Sequence, residues 1–400
     1  SVVAVSLKKT AGSRSIKYGR TSDNVIGVDL LLADGRRCRL GPEGGRYDPV
    51  AAQLARGVAD IVRRHESLIR ERFPKTLRRS AGYQLDLMLD ELERAGGDPL
   101  GMNLAPLVCG SEGTLGFTAA AELKLCPLPG ARGLAVVAFA SLFDAIDAVP
   151  RFIELGPSAV ELLDDLIIDL AKDNLEQRRN LEVLPSPTSG DLKAVLYVEF
   201  EDADEAAVRA KLARAVEASG EHAAQTFVAP EAQAAAWALR KAGEPLLHGV
   251  EGSRKPLGFV EDNAVPPERL AEFVRAFSTM LEEEGTIASF YAHASVGVLH
   301  IRPLLDLRDA ADEARMHRIA ERAEAIAREM GGVMSGEHGD GRARGPLLER
   351  FFGPELMDAF REIKALFDPG NLMNPGNIVE PRPIDSISGP TRVRAAENSA

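Results

Sequence analysis

Apolar and polar positions change period several times along this chain, and each change predicts an element. Asn24 to Leu32 reads as a strand closed by the turn Asp34-Gly35. Ala51 to Arg72 repeats at helical spacing with a mixed face, and Pro74 stops it. Leu85 to Arg94 is a shorter helix, followed by the loop Gly96-Gly97-Asp98-Pro99. A strand is predicted over Ala119–Leu125. Pro127-Leu128-Pro129-Gly130 then marks a boundary. Beyond it strands and helices alternate. Strands are predicted over Leu134–Ala140, Ala194–Phe200, Thr286–Tyr291 and Val298–Ile301. Helices are predicted over Leu142–Glu154, Glu205–Ala218, Pro230–Ala242, Pro267–Glu284, Asp309–Met330 and Pro354–Leu366. The class this predicts is α+β, with strands in one layer and helices covering them. From Glu380 the chain turns polar and rich in Pro and Ser, so the tail 381–400 is expected to be disordered.

The chain has 400 residues, enough for two or three domains and a large core. It is 45% hydrophobic and 27% charged, the composition of a soluble globular protein. A net charge of −12 argues against nucleic acid or an anionic membrane as the main partner. No apolar run is long enough to span a bilayer, and no secretory leader opens the sequence. The first residue is Ser, not Met, so a processed chain or a fragment is expected. Cys38, Cys109 and Cys126 are too far apart for a Cys-x-x-Cys site, and three thiols cannot hold a four-Cys cluster. Buried free thiols in a reducing compartment are the expectation.

Three groups of residues carry candidate chemistry. Gly110-Ser111-Glu112-Gly113-Thr114-Leu115-Gly116 offers bare backbone N–H groups and two hydroxyls, the makings of a phosphate cradle. It also fits a tight turn between strands. His293, His300, Glu337 and His338 bring imidazoles and a carboxylate together, a ligand set for Zn²⁺ and nearly as good for Mn²⁺ or Fe²⁺. On a straight strand residues seven apart face opposite ways, so Gly297 must supply a turn or bulge between the two histidines. A pair of half-buried sheet histidines is the competing reading. Arg240 and Lys255 could bind a carboxylate, the first bidentately and the second as a point charge. They could equally be surface cations.

Taken together, these motifs resemble one family. Gly110 to Gly116, His293-x6-His300, Gly336-Glu337-His338-Gly339, and Phe367-Asp368-Pro369 through Asn374-Pro375-Gly376 stand in the order of the FAD-linked oxidases of vanillyl-alcohol-oxidase type. The nearest branch is that of the D-2-hydroxyacid dehydrogenases, which act on D-lactate, glycolate or D-2-hydroxyglutarate. The resemblance runs from about Gly12 to Val379. Ser80 to Asp86, Glu261 to Pro266 and Tyr291 to Gly297 are similar to a bacterial subgroup that fuses the flavin module to an iron–sulfur module.

The resemblance implies a flavin domain and a cap: residues 1–127 as the second lobe of the FAD domain, 128–335 as the substrate cap, and 336–380 as the return with the active-site loop. It implies FAD held by Gly12, Ser13, Tyr18 and Gly19 near the isoalloxazine. Gly110, Ser111, Glu112, Gly113, Thr114 and Gly116 would lie along the pyrophosphate, with Asn374 beside the flavin. It implies His293, His300 and Glu337 as metal ligands, His338 as catalytic base, and Arg240 and Lys255 as binders of substrate carboxylate. Glu244 departs from this pattern, standing where the hydroxyglutarate enzymes carry Thr. The partners implied are a small 2-hydroxyacid and an electron acceptor: a protein, a quinone or an iron–sulfur module. A homodimer is open to it. Cytoplasm, or peripheral attachment at the inner face of the membrane, is the expected location. Lys8-Lys9 replace an Asn pair of the family, and a Gly-rich first lobe and a Cys-rich module would lie outside residues 1–400. FAD affinity is therefore expected to be reduced unless another chain supplies that lobe. A non-catalytic remnant and a metal-dependent hydrolase remain alternatives, although the hydrolase leaves Gly110–Gly116 and Asn374-Pro375-Gly376 unexplained.

Overall fold

A computed structural model describes residues 12–383. Lys8, Lys9, Ala11 and all but the first three residues of the expected tail lie outside the described residues. Two antiparallel sheets organise the rest. β1 (Val25–Leu31), β2 (Arg37–Leu40) and β3 (Phe117–Leu123) form a three-stranded sheet in the order β2-β1-β3. Asp34-Gly35 makes the expected turn, with Gly35 at φ 86° donating to the Leu32 carbonyl. β3 begins two residues earlier than the pattern suggests. Against this sheet pack α1 (Pro49–Arg64), α2 (Glu66–Arg72) and α3 (Leu85–Arg94). Asp48 caps α1 by accepting from the N–H groups of Val50 and Ala51, and Pro49 occupies the first turn, where its missing N–H costs nothing. The single helix expected over Ala51–Arg72 is broken at His65, whose φ/ψ of −109°/11° leave the α region. No Pro or Gly marks that break in the sequence.

The second sheet is larger. β4 (Ala131–Phe139), β5 (Ala159–Asp164), β6 (Ala194–Asp202), β7 (Ala224–Phe227), β8 (Lys255–Pro256), β9 (Asn263–Ala264), β10 (Ala288–His293) and β11 (Val298–Leu305) take the order β7-β4-β6-β5-β10-β11-β8. β9 pairs with β11. Both faces are covered, as strand alternation requires. Ala135, Val137 and Phe139 join a core with α4 (Leu142–Ile153), α6 (Glu205–Ser219) and α8 (Leu270–Glu283). Leu134, Val136, Val195 and Tyr197 point the other way, onto α5 (Asp165–Asp173) and α7 (Pro230–Leu247). β5 is fully buried and carries Glu161 and Asp164, so neither alternation nor an apolar run announced it. α7 runs on through Pro245 past the expected end at Ala242. α9 (Ala310–Glu329) and α10 (Pro354–Phe367) complete the longer helices among the described residues, and α10 packs back on α1. Among the described residues no helix is long and apolar enough to cross a membrane. Cys38 and Cys109 are buried; Cys126 is exposed, which corrects the expectation for that thiol.

The loop Ser335–Gly341 is pinned from three sides. Ser80 N–H donates to the Ser335 carbonyl at 2.7 Å, Gly336 N–H to the Asp262 carbonyl at 2.7 Å, and Asp340 N–H to Glu112 Oε1 at 2.6 Å. Gly82 N–H reaches Asp340 Oδ2 at 2.7 Å, and a Cβ at Gly82 would lie 2.5 Å from the Phe360 ring. The hairpin β10–β11 turns through Ala294–Val296 into Gly297, at φ 70°. A Cβ there would lie 1.9 Å from the Val265 carbonyl oxygen, so this position requires glycine on both counts. Gly331 also has positive φ but open space around it. Gly297→Ala is therefore expected to destabilise the protein by about 3 kcal/mol or more, and Gly331→Ala by about 1–2 kcal/mol. Urea unfolding of both variants checks the ordering.

Candidate active site

Gly297 makes a turn, not a bulge, and that turn resolves the spacing of the two histidines. His293 pairs with Val298 and Tyr291 with His300. Directly paired residues share a face, so His293, His300 and Tyr291 all point the same way. The His293 and His300 rings meet edge to face with centroids 5.1 Å apart, and Tyr291 stacks on His300 at 4.8 Å. Above them the pinned loop delivers Glu337. Its Oε1 lies 3.2 Å from His293 Nε2, 3.4 Å from His300 Nε2 and 3.7 Å from His338 Nε2. Three imidazole nitrogens thus converge on one carboxylate oxygen.

Behind His293, His338 and Glu337 stand further partners, whereas His300 Nδ1 is buried without a hydrogen bond among the described residues. His293 Nδ1 meets both oxygens of Glu161 at 2.9 Å. Glu161 is itself 2.7 Å from Arg240 Nη2. His338 Nδ1 lies 3.4 Å from Glu261 Oε1. Asp262, with φ 78°, accepts from the backbone N–H groups of Glu337 and His338 and from the Ser335 hydroxyl. Arg78 closes the far side: its Nη1 donates to Glu337 Oε2 at 3.0 Å, and its side chain is 1% exposed.

Charge follows from this arrangement. Burial alone would discharge His293, but the Glu161 and Glu337 carboxylates hold its pKa up at about 9. Burial opposes the charge of His338 too, yet Glu261, Asp262 and Glu337 raise it above the usual value. Burial of His300 wins, and its pKa falls. Burial would raise Glu337; the two histidines hold it well below the usual carboxylate range. Glu261 sits at about 2, its burial outweighed by His338 and Arg302.

Asp262, His300, Glu337 and His338 offer donor atoms all within 4.8 Å of one another, a group able to hold a metal ion. Both Asp262 oxygens already accept N–H or O–H donors, which makes His293 the better third donor. Its Nδ1 is oriented by Glu161 and its Nε2 is left facing Glu337, the usual support of a metal-binding imidazole.

The other expected residues fall as follows. Gly12 is exposed, and its carbonyl accepts from Arg78 Nη2 at 3.1 Å, which sets the Gly12–Gly19 segment beside the cluster. Ser13 is half-buried, Tyr18 donates to Glu201 Oε2, and Gly19 has φ 72°. In the loop Gly110–Gly116, the Thr114 hydroxyl donates to the Ser111 carbonyl and pairs with the Tyr83 hydroxyl. Ser111 is buried, and Glu112 takes the N–H groups of Asp340 and Gly341. Thr114 Oγ1 is therefore committed inside the protein, and Gly113 is left open to solvent. Gly110 has φ 82°, and Gly116 is packed on Leu30. Asn374, at φ 42°, donates to the Glu112 carbonyl, joining that loop to the segment after α10.

Lys255 is not brought to the cluster. It is exposed, bonds the Val250 carbonyl and pairs with Leu305, five residues and about 16 Å along β11 from His300. Arg302 is a cation on that face instead. Its Nη2 lies 2.7 Å from Glu261 Oε2. The sequence held the signal: in His300-Ile301-Arg302 the period of two puts Arg302 on the histidine face. For Arg78 no local pattern gave a sign.

The fold is shared with a solved structure of p-cresol methylhydroxylase with substrate bound: TM-score 0.60 at 13% identity, over 94% of this chain and 69% of that one. The family model of the FAD linked oxidases, C-terminal domain, matches residues 128–378. The chain belongs to that family. It is 32% identical to a D-2-hydroxyglutarate dehydrogenase of Escherichia coli over 94% of this chain. It is 28% identical to a D-lactate dehydrogenase of Archaeoglobus fulgidus over 92% of this chain. The chain spans 38% of the length of the first of these and 67% of the second.

Among the described residues, Arg78 is the one cation set directly on Glu337 Oε2. Arg78→Met is expected to cost about 3–5 kcal/mol in urea unfolding of the metal-free protein, because it leaves a buried carboxylate short of its partner.

Proposed function

We propose that this chain belongs to an FAD-dependent dehydrogenase that oxidises a small D-2-hydroxyacid to the 2-oxoacid. The observation that carries the reading is the convergence of three imidazoles on Glu337 Oε1, beside the exposed Gly12 end of the Gly12–Gly19 segment. Residues 1–127 would be the second flavin lobe, 128–335 the cap and 336–380 the return carrying the active-site loop. Gly12 to Gly19, Gly110 to Gly116 and Asn374 would face FAD. Gly12 and Gly113 leave room there, since a Cβ on either would meet nothing within 4 Å.

His293, His300 and Glu337 would hold a divalent metal, with Zn²⁺, Mn²⁺ and Fe²⁺ all compatible with that donor set. The donors fit a cation. Without one, three neighbouring rings would have to share protons around one oxygen, and like charges at that range repel. Bound FAD would supply the acceptor for the hydride, which carries both electrons of the oxidation. A bound metal supplies Lewis acidity at the substrate hydroxyl oxygen.

The chain's own residues do the rest. Oxidation removes the hydroxyl proton and the C2 hydride. His338 Nε2 faces the cluster while Nδ1 is held at Glu261, so Nε2 is the atom that takes the proton. Arg302 sets positive charge beside the histidine face, where a substrate carboxylate would lie, and Arg240 neutralises Glu161 behind His293. Glu161 fixes the His293 ring and Asp262 fixes the loop that carries Glu337 and His338. The partner implied is an electron acceptor: a protein, a quinone or an iron–sulfur module.

The test is the absorption of the FAD-loaded protein on adding D-lactate or D-2-hydroxyglutarate. Bleaching of the flavin bands is expected, and His338→Ala should slow it by about 10²–10⁴-fold with flavin still bound. Loaded protein that bleaches with no D-2-hydroxyacid contradicts the reading.

A further inference from the structure

Helix α7 lays two charged residues along the histidine face of the sheet. Arg240 reaches Glu161, and one turn later Glu244 reaches Arg302, with Oε1 3.2 Å from Nη1. Arg302 is held between two carboxylates, because Glu261 lies at its other nitrogen. Glu261 in turn faces His338. A row of charges therefore leads from the proposed base outward to Glu244.

The state of each cation decides what anion can enter. Arg78 and Glu337 are 1% and 5% exposed, and Arg240 and Glu161 are 10% and 0% exposed. Both pairs are sealed, and separating either would strand a charge away from water. Lys255 is turned to the Val250 carbonyl at the far end of β11. The pair Arg302–Glu244 is different. Arg302 is 12% exposed but Glu244 is 44% exposed, so this carboxylate can move into water. Arg302 also keeps a buried Nε with no hydrogen-bond partner among the described residues. Arg302 is thus a cation whose partner can leave, with a donor in hand for what replaces it.

We infer that Glu244 sets the charge of the substrate: the site takes a 2-hydroxyacid with one carboxylate and an uncharged tail, and disfavours a dicarboxylate. This rests on the dehydrogenase reading above. A single substrate carboxylate can take the place of Glu244 on Arg302. A second would meet the Glu244 and Glu261 carboxylates, of which Glu244 keeps only the exposed His248 ring at 3.1 Å once Arg302 is taken, and like charges facing each other are a means of rejecting a ligand.

The experiment compares kcat/KM of the FAD-loaded protein for D-lactate and D-2-hydroxyglutarate, in the wild type, Glu244→Gln and Glu244→Ser. Calorimetric Kd values for pyruvate and 2-oxoglutarate are measured on the same samples. The wild type is expected to favour D-lactate by about tenfold or more, and each variant to shift the ratio about tenfold toward the dicarboxylate. The Kd ratio of the two oxoacids should shift the same way. A wild type that prefers D-2-hydroxyglutarate, or variants that leave both ratios unchanged, overturns the inference. If neither hydroxyacid bleaches the flavin, the dehydrogenase reading fails, and the oxoacid Kd ratio still decides the role of Glu244. Two different replacements at a half-exposed position guard against a folding defect in one.

Discussion

A carboxylate that is 5% exposed cannot stand alone, and the site is arranged around that fact. Glu337 presents one oxygen to Arg78 and the other to three imidazoles. The Asp262 carboxylate receives the backbone N–H groups on which Glu337 is carried. Arg78 ties the same carboxylate to the Gly12 carbonyl, so the Gly12–Gly19 segment, the large sheet and the Ser335–Gly341 loop meet at one buried charge. The convergence is built from three distant stretches of sequence. That makes it a property of the fold and not of any one motif.

The large sheet explains how so polar a group can sit in a protein interior. One face is mostly apolar and packs on α4, α6 and α8. The other is apolar only beneath α5 and α7, around Leu134, Val136 and Tyr197. Past that patch the same face carries Glu161, Glu199, His293 and His300, each with an opposite charge or a ring nitrogen against it. Arg14 reaches Glu199, and Lys17 and Tyr18 reach Glu201, which binds the Gly12–Gly19 segment to the large sheet. Burying these acids is costly, and only full pairing offsets the cost. The pairing fixes where every ring points.

Much of this was legible from pattern. Long helices with one apolar stripe, such as α4 and α9, stand close to their expected bounds because period and caps agree. The motif residues His293, His300, Glu337 and His338 come together as their chemistry suggested. What the pattern hid has physical causes. β5 is buried along its whole length and contains two acids, so it resembles neither an exposed strand nor an apolar one. Arg78 and Glu161 are far in sequence from the groups they serve, and nothing near them in sequence signals that duty. Lys255 was an attractive cation, but its strand pairs at the wrong end of β11. Arg302 was readable from strand period alone. The hydroxyl of Thr114 suggested a donor for phosphate, yet it closes a turn inside the protein.

The most direct measurement is calorimetric titration of the metal-stripped protein with Zn²⁺, comparing wild type with Glu337→Gln and Glu161→Gln. One ion should bind per chain. Glu337→Gln should abolish that binding, and Glu161→Gln, which touches the ion only through His293, should weaken it by about 10–100-fold. A wild-type protein that takes up no divalent ion, or a Glu337→Gln variant that binds it as well as wild type, would contradict the view that Glu337 is the centre around which this site is built.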